Sequence, residues 1–241
     1  MEPVRTHRAR TVVEAARLHH AKDRRERGLT LVEGPNQLAD ALAAGALVRE
    51  VFGLDPGEGV TPVDERALAR LSGTKTPRGP VAVVEIPTEW LDRSRDLLVA
   101  IGVSDPGNVG TMIRTAAAFG WGFAYMEGSA DPWAPKTIRA GAGGQFQTPV
   151  SRIGWLGELG EWTTVATLPR GGDPLVEVIS RPVALLIGAE AQGLSPRVIE
   201  SADHRITIST PGLTESLNAA VAAGIAVYEL SRLSGQGEAS V

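Results

Sequence analysis

From Leu97 to the carboxyl end, short apolar runs alternate with segments of helical composition. The strands read from this rhythm are Leu97–Val103, Phe123–Met126, Thr163–Thr167, Ala184–Ile187 and Arg205–Ile208. The helices between them are Val109–Phe119, Pro135–Ala140, Leu175–Ile179 and Pro196–Ser201, and a longer one runs over Glu215–Leu233. Strands that each need a crossover helix pair in parallel, and a parallel sheet must be covered on both faces. The predicted class is therefore α/β with a mostly parallel sheet. Such sheets bind ligands outside the carboxyl ends of their strands. That directs attention to the loops after Val103, Thr167, Ile187 and Ile208.

The first 88 residues read differently. Polar helices over residues 4–27 precede a strand at Leu29–Glu33, a helix at Gln37–Ala44 and a strand at Leu47–Phe52. A helix at Asp64–Leu71 and a valine-rich strand at Pro80–Ile86 follow. We expect a small α/β domain over 1–88, a linker over 89–96, a second domain over 97–233 and a disordered tail over 234–241.

The chain has no cysteine, which excludes disulfides and thiolate chemistry. Of four histidines, His19 and His20 are adjacent and unsuited to metal chelation on one helix face, so no metal is expected. No apolar run approaches the roughly 18 residues of a membrane span. The arginine-rich start also carries acids, and the first serine is Ser72, unlike a transit peptide. A cytoplasmic protein without membrane partners is expected. The formal net charge of −4 argues against indiscriminate nucleic-acid binding, yet residues 1–27 hold eight Lys and Arg against four acids. Lys22, Arg24 and Arg25 in that run are candidate phosphate contacts, or part of a solvated helix face.

Three segments carry candidate chemistry. In Ser104–Arg114, Pro106 and Gly107 suit a turn, Asn108 suits a helix cap, and Arg114 lies one helical turn beyond Gly110. An arginine there offers a cationic fork for phosphate or carboxylate, or is a surface residue on a capped helix. In Leu185–Ser195, two glycines, Gly188 and Gly193, flank the carboxylate of Glu190 at a strand end, and Gly188 suits close approach to a flat ligand. In Ile206–Ala222 a strand turns through Pro211-Gly212 into a helix whose first turn holds Ser216 and Asn218. That last helix is apolar nearly all round, which predicts burial.

Together the three segments resemble the signature motifs of the SpoU/TrmH family of RNA 2′-O-ribose methyltransferases. Asn108-x-Gly110-x-x-x-Arg114 is similar to the first. Gly188-x-Glu190-x-x-Gly193-Leu194-Ser195 is similar to the second, with Ala189 where asparagine is frequent. Pro211 with Ser216-Leu217-Asn218 and the alanine-rich helix ending Tyr228-Glu229 is similar to the third. Arg139–Phe146 also resembles a family segment. Leu31–Gly34 and Ser72–Gly79 are similar to the domain that precedes the catalytic one in ribosomal-RNA members.

The resemblance implies a trefoil knot at the carboxyl end, S-adenosylmethionine bound in it, and a homodimer packed through the C-terminal helix. It implies Arg114 as the catalytic arginine. Guanidinium groups are poor bases, so we expect Arg114 to fix a phosphate and stabilise a developing oxyanion. Glu190 or water then takes the proton, and Asn108, Ser216 and Asn218 orient Arg114 and the ribose. Gly188, Ile208, Leu217, Thr167 and Leu168 are the expected cofactor positions. Arg139, Lys22, Arg24 and Arg25 are the expected RNA contacts. Large-subunit ribosomal RNA is the expected substrate; transfer RNA, a catalytically silent RNA-binding module and a small-molecule enzyme on an unknotted sheet are the alternatives.

Overall fold

The computed structural model describes residues 4–74, 76–77, 79–174, 180–190, 192–210 and 216–235. The predicted helix Leu175–Ile179, the Pro211-Gly212 turn and most of the predicted tail lie outside them. In chain order the first elements are α1 (Arg10–Ala16), α2 (Ala21–Arg27), β1 (Leu29–Glu33), α3 (Pro35–Ala43), β2 (Val48–Gly53), β3 (Val60–Pro62), α4 (Glu65–Ser72) and β4 (Val81–Glu85). There follow β5 (Leu97–Ile101), α5 (Pro106–Ala118), β6 (Gly122–Tyr125), α6 (Pro135–Ala140), β7 (Val150–Arg152), β8 (Thr163–Leu168), β9 (Val183–Gly188), α7 (Pro196–Ser201), β10 (His204–Thr207) and α8 (Ala219–Gly235).

The chain packs into two compact units, and they are not contiguous in sequence. One unit joins Met1–Thr88 to Asp131–Gln147, and the other joins Glu89–Ala130 to Thr148–Val241. The expected division, with 97–233 as one uninterrupted domain, is thus corrected. Residues 131–147 leave the second unit because their polar and aromatic groups complete the first. Asp131 pairs with Arg24 at 2.5 Å, Arg139 pairs with the buried Glu33 at 2.8 Å, and the Thr30 hydroxyl donates to the Trp133 carbonyl at 2.6 Å. The stretch 89–96 is no free linker either. The Ser151 hydroxyl donates to the Trp90 carbonyl, the Trp162 indole N–H donates to the Arg95 carbonyl, and Asp96 accepts from the Val183 amide.

The first unit is built on a four-stranded sheet of order β1-β4-β2-β3, with β4 antiparallel to both neighbours. Val12, Leu18, Phe52, Leu68 and Leu71 fill its core. In α4, Asp64 caps the helix start by accepting from the Ala67 amide, and Gly73 ends it in the left-handed conformation.

The second unit is a six-stranded, wholly parallel sheet of order β10-β8-β9-β5-β6-β7. Its central strands, β5 and β9, are continuous apolar runs, as strands covered on both faces must be. The strand order reverses between β5 and β9, the switch point at which ligands bind in open α/β sheets. β7 and β3, each three residues long, were not read from the sequence.

Helix α8 packs on α5. Ala223, Ala226, Val227 and Leu230 are buried, while Val221, Ile225 and Tyr228 stand 51%, 39% and 51% exposed. Within one chain the helix is therefore buried on one side and presents an apolar stripe on the other. Phe119, at the end of α5, extends the stripe through an edge-on contact with Tyr228 at 6.3 Å.

Candidate active site

Three strand ends and one helix start form a cleft in the second unit. Its volume is about 560 Å³, within the usual range for a cofactor site. After β8, Thr167 and Leu168 form one wall, continued by Pro169 and Arg170. After β9, Gly188, Ala189, Glu190 and the Gln192–Leu194 stretch form another. Beyond β10 come Ile208 and Thr210, then Ser216 and Leu217 ahead of α8. All five expected cofactor positions line this cleft, together with Glu190 and Ser216.

A chain of side-chain amides runs from the cleft to two helix starts. The Asn108 amide donates to the Glu190 carboxylate, and the Asn108 carbonyl oxygen accepts from the Asn218 amide at 3.0 Å. Each end of Asn108 thus has a partner of opposite character, which fixes its orientation. Asn218 in turn caps α8, its carbonyl oxygen accepting from the Ala220 and Val221 amides at 2.9 and 3.2 Å. At the other helix start, the Asp105 carboxylate accepts from the Asn108 backbone N–H at 3.0 Å. Asn108 was expected to cap α5. The cap is Asp105, and Asn108 sits inside the first turn with its side chain released for Glu190. The signal was present: an aspartate immediately before proline marks an N-cap followed by N1.

Arg114 lies on α5, exposed, and does not line the cleft. Among the described residues its guanidinium makes no hydrogen bond or ion pair and is open to a ligand.

Gly188 has a reason in the chain itself, beside any ligand. A Cβ there would lie 2.5 Å from the Leu194 nitrogen and 2.6 Å from the Gly193 carbonyl oxygen. The glycine makes room for the protein's own loop, which turns back on itself through the Gly193 amide donating to the Ala189 carbonyl at 2.8 Å. A similar approach occurs after β8, where a Cβ on Gly172 would meet the Ile206 backbone, and Asp173 bridges to Ile206 of β10.

Two of the expected RNA contacts are corrected or qualified by burial. Arg24 is 3% exposed and spends its donors on Asp131 and on the Leu18 and His19 carbonyls at 2.7 and 2.9 Å. A guanidinium so enclosed cannot meet a phosphate. Arg139 is one-third exposed and paired with Glu33. Lys22 and Arg25 are exposed on α2, Lys22 at a loose 3.8 Å from Glu26. Sequence reasoning passed over Arg170, the single cation among the described residues lining the cleft.

Among the described residues no cluster of His, Asp or Glu could hold a metal ion, and no helix is long and apolar enough to cross a membrane. The profile of the SpoU rRNA Methylase family matches residues 96–228, more than half of the chain. The chain belongs to the SpoU rRNA methylase family. It is 33% identical over 246 residues to the 23S rRNA (guanosine(2553)-2′-O)-methyltransferase RlmP of Bacillus subtilis, covering 95% of this chain and 99% of that protein. Among solved structures, the SpoU methyltransferase AviRb from Streptomyces viridochromogenes, in complex with the cofactor AdoMet, superposes with a TM-score of 0.83 at 28% identity. That match covers 93% of this chain and 98% of the other. An enzyme described for 2-OH methylation of C/U34 on tRNA matches 59% of this chain with a TM-score of 0.52. This SpoU methylase thus resembles ribosomal-RNA enzymes along nearly its whole length, and the transfer-RNA enzyme over little more than half.

Proposed function

We propose that this SpoU methylase transfers a methyl group from S-adenosylmethionine to a ribose 2′-hydroxyl of 23S ribosomal RNA. The observation that carries the reading is the cleft at the ends of β8, β9 and β10, lined by the five motif positions and joined through Glu190 and Asn108 to the start of α8. The cleft fits the cofactor in size and chemistry. Leu168, Ile187, Ile208 and Leu217 supply apolar walls for a flat base, and Arg170 and Glu190 supply one charge of each sign. Near-complete coverage by an enzyme named for 23S rRNA favours ribosomal over transfer RNA.

The bound cofactor supplies an electrophilic methyl group on a sulfonium. The protein's tasks are to align a neutral hydroxyl and to remove its proton. We assign Arg114 to the substrate side, where its fork holds a phosphate and stabilises charge growing on the ribose oxygen. Glu190, held by Asn108, is assigned to the proton, directly or through water. Asn218 and Ser216 position this group at the mouth of the cleft. In the first unit, Lys22 and Arg25 are assigned to RNA phosphates, making residues 1–88 with 131–147 the substrate-binding part. We further assign the exposed stripe of α8 to a homodimer contact, because Val221, Ile225, Tyr228 and Phe119 form an apolar surface that water solvates poorly. The close passage of the chain after β8 against β10 supports the trefoil knot.

Single-turnover methyl transfer to a 23S rRNA transcript, with protein and cofactor saturating, tests the assignment. Arg114→Ala should lower the rate by on the order of a hundredfold, the scale for loss of a transition-state donor. Cofactor affinity should hold, because Arg114 does not line the cleft. A wild-type rate would make Arg114 a binding residue only. Absence of 2′-O-methylnucleoside after digestion would refute the reaction itself.

A further inference from the structure

Five tryptophans divide sharply by environment. Trp121, Trp133 and Trp162 are 3–4% exposed, while Trp155 is 67% and Trp90 56% exposed. The exposed pair flanks one strand. Trp90 lies beside β7, its carbonyl accepting from the Ser151 hydroxyl, and Trp155 follows β7 by three residues. A large ring left in water is costly to solvate, and two at one sheet edge need an explanation.

Trp155 is presented by a braced loop. Ile153 and Leu159 are buried in the core of the second unit, and Leu156 packs against it. The Glu158 carboxylate accepts from the Gly154 and Trp155 amides at 2.8 and 3.2 Å. A Cβ on Gly157 would run into the six-membered ring of Trp155, so the indole lies across the bare Gly157 backbone. One side of the ring therefore rests on the loop while most of its surface faces solvent. Such a ring loses little freedom when a second flat group stacks on it.

Register places this ring at the functional end of the sheet. Ala100 of β5, Tyr125 of β6 and Arg152 of β7 are aligned. Because the strands are parallel, Trp155, three residues beyond β7, lies past the same carboxyl ends as the loop after β5 that leads to the Asp105 cap of α5. Two strand spacings of roughly 4.8 Å put β7 about 10 Å from β5, a span of one or two nucleotides. Arg152, half exposed, has a loose ion pair with Glu127 at 3.8 Å, weak competition for a phosphate.

We propose that Trp155 is a stacking platform for an unpaired base of the RNA, flanking the nucleotide that is methylated. The inference rests on the RNA reading above. Stacking is tolerant of base identity, so it holds the strand without choosing the sequence.

The test compares two fluorescein-labelled strands by anisotropy: an adenylate dodecamer and an abasic ribose–phosphate chain of the same length. The wild-type protein should bind the base-bearing strand about tenfold more tightly, the scale of one stacked base. Trp155→Ala should abolish most of that preference while leaving the abasic strand's affinity unchanged, and Trp155→Phe should retain part of it. A wild-type protein indifferent to bases, or an alanine variant that keeps the preference, overturns the proposal. So does a change in oligomeric state of Trp155→Ala by light scattering, which would make the ring a contact between copies of the chain. Failure of the methylation reading shows separately, as no methyl transfer to 23S rRNA from a protein whose base preference is intact.

Discussion

Arg24 should be a structural arginine, and its removal is a strong test of how the first unit is held together. Its side chain is buried and makes bonds to Asp131, to the Leu18 carbonyl and to the His19 carbonyl. Removing one partner of a buried ion pair costs about 3–5 kcal/mol, much of it from the charge left behind. Here Asp131 is 28% exposed and also accepts from the Trp133 amide, so water and that amide offset part of the loss. The buried Leu18 carbonyl loses its donor, at about 1–3 kcal/mol for a group that water cannot reach, and the partly buried His19 carbonyl loses less. We expect Arg24→Ala to destabilise the first unit by roughly 3–4 kcal/mol. Because the chain has two units, global unfolding is a blunt readout. Hydrogen exchange of the β1 and α1 amides is local, and should accelerate by roughly several hundredfold where exchange requires opening of the unit. The neighbouring Arg25→Ala, at an exposed position, should change stability by no more than about 0.5 kcal/mol. An Arg24→Ala protein with wild-type exchange in β1 would refute the argument, as would one whose sole defect is weakened RNA binding.

Other outcomes follow from the same physical reasoning. Gly188→Ala should destabilise the second unit by about 1–3 kcal/mol, the scale of overpacking, and weaken S-adenosylmethionine binding with it; calorimetry showing a stable fold with unchanged affinity would contradict the crowding at Leu194. Ile225→Lys should leave a folded protein of 25.3 kDa by light scattering, against twice that for the wild type; a wild-type monomer would remove the dimer assignment. Burial holds the His19 ring below its usual pKa, while its Nε2 lies 2.9 Å from the Leu71 carbonyl. The unfolded chain therefore takes up the proton first as pH falls below about 6.5, and stability should drop from there down to the folded-state value. His19→Gln should flatten that part of a melting-temperature profile, and an unaltered profile would show that His19 is not its source.

Much of the second unit was legible because buried parallel strands are written as unbroken apolar runs. Leu97–Ala100 and Ala184–Ile187 could be nothing exposed, and the three motif segments fell at strand ends where a parallel sheet must put its ligand. The elements hidden in the sequence lack a period. Val60–Pro62 and Val150–Arg152 are too short to show alternation, and one of them ends in proline. The burial of Arg24 was hidden because an arginine among arginines looks like solvent-facing charge, and its partner lies more than a hundred residues away. At Gly188 the backbone is approached closely, as its loop suggests, but a sequence does not say whether a ligand or the chain itself does the approaching. For Asn108 the sequence suggests a helix cap, and that task belongs to Asp105, the residue just before Pro106.

The interleaving of the two units limits how this protein can be taken apart. A fragment ending at Thr88 would carry Arg24 without Asp131, Glu33 without Arg139 and Thr30 without its carbonyl, so three polar groups in its interior would each lose a partner that the whole chain supplies. A fragment starting at Glu89 would drag residues 131–147 along as an excursion with nothing to fold against. Moving the first unit onto another protein therefore means transplanting two pieces of gene, and a single crossover in the polar stretch near residue 90 would yield no intact module on either side.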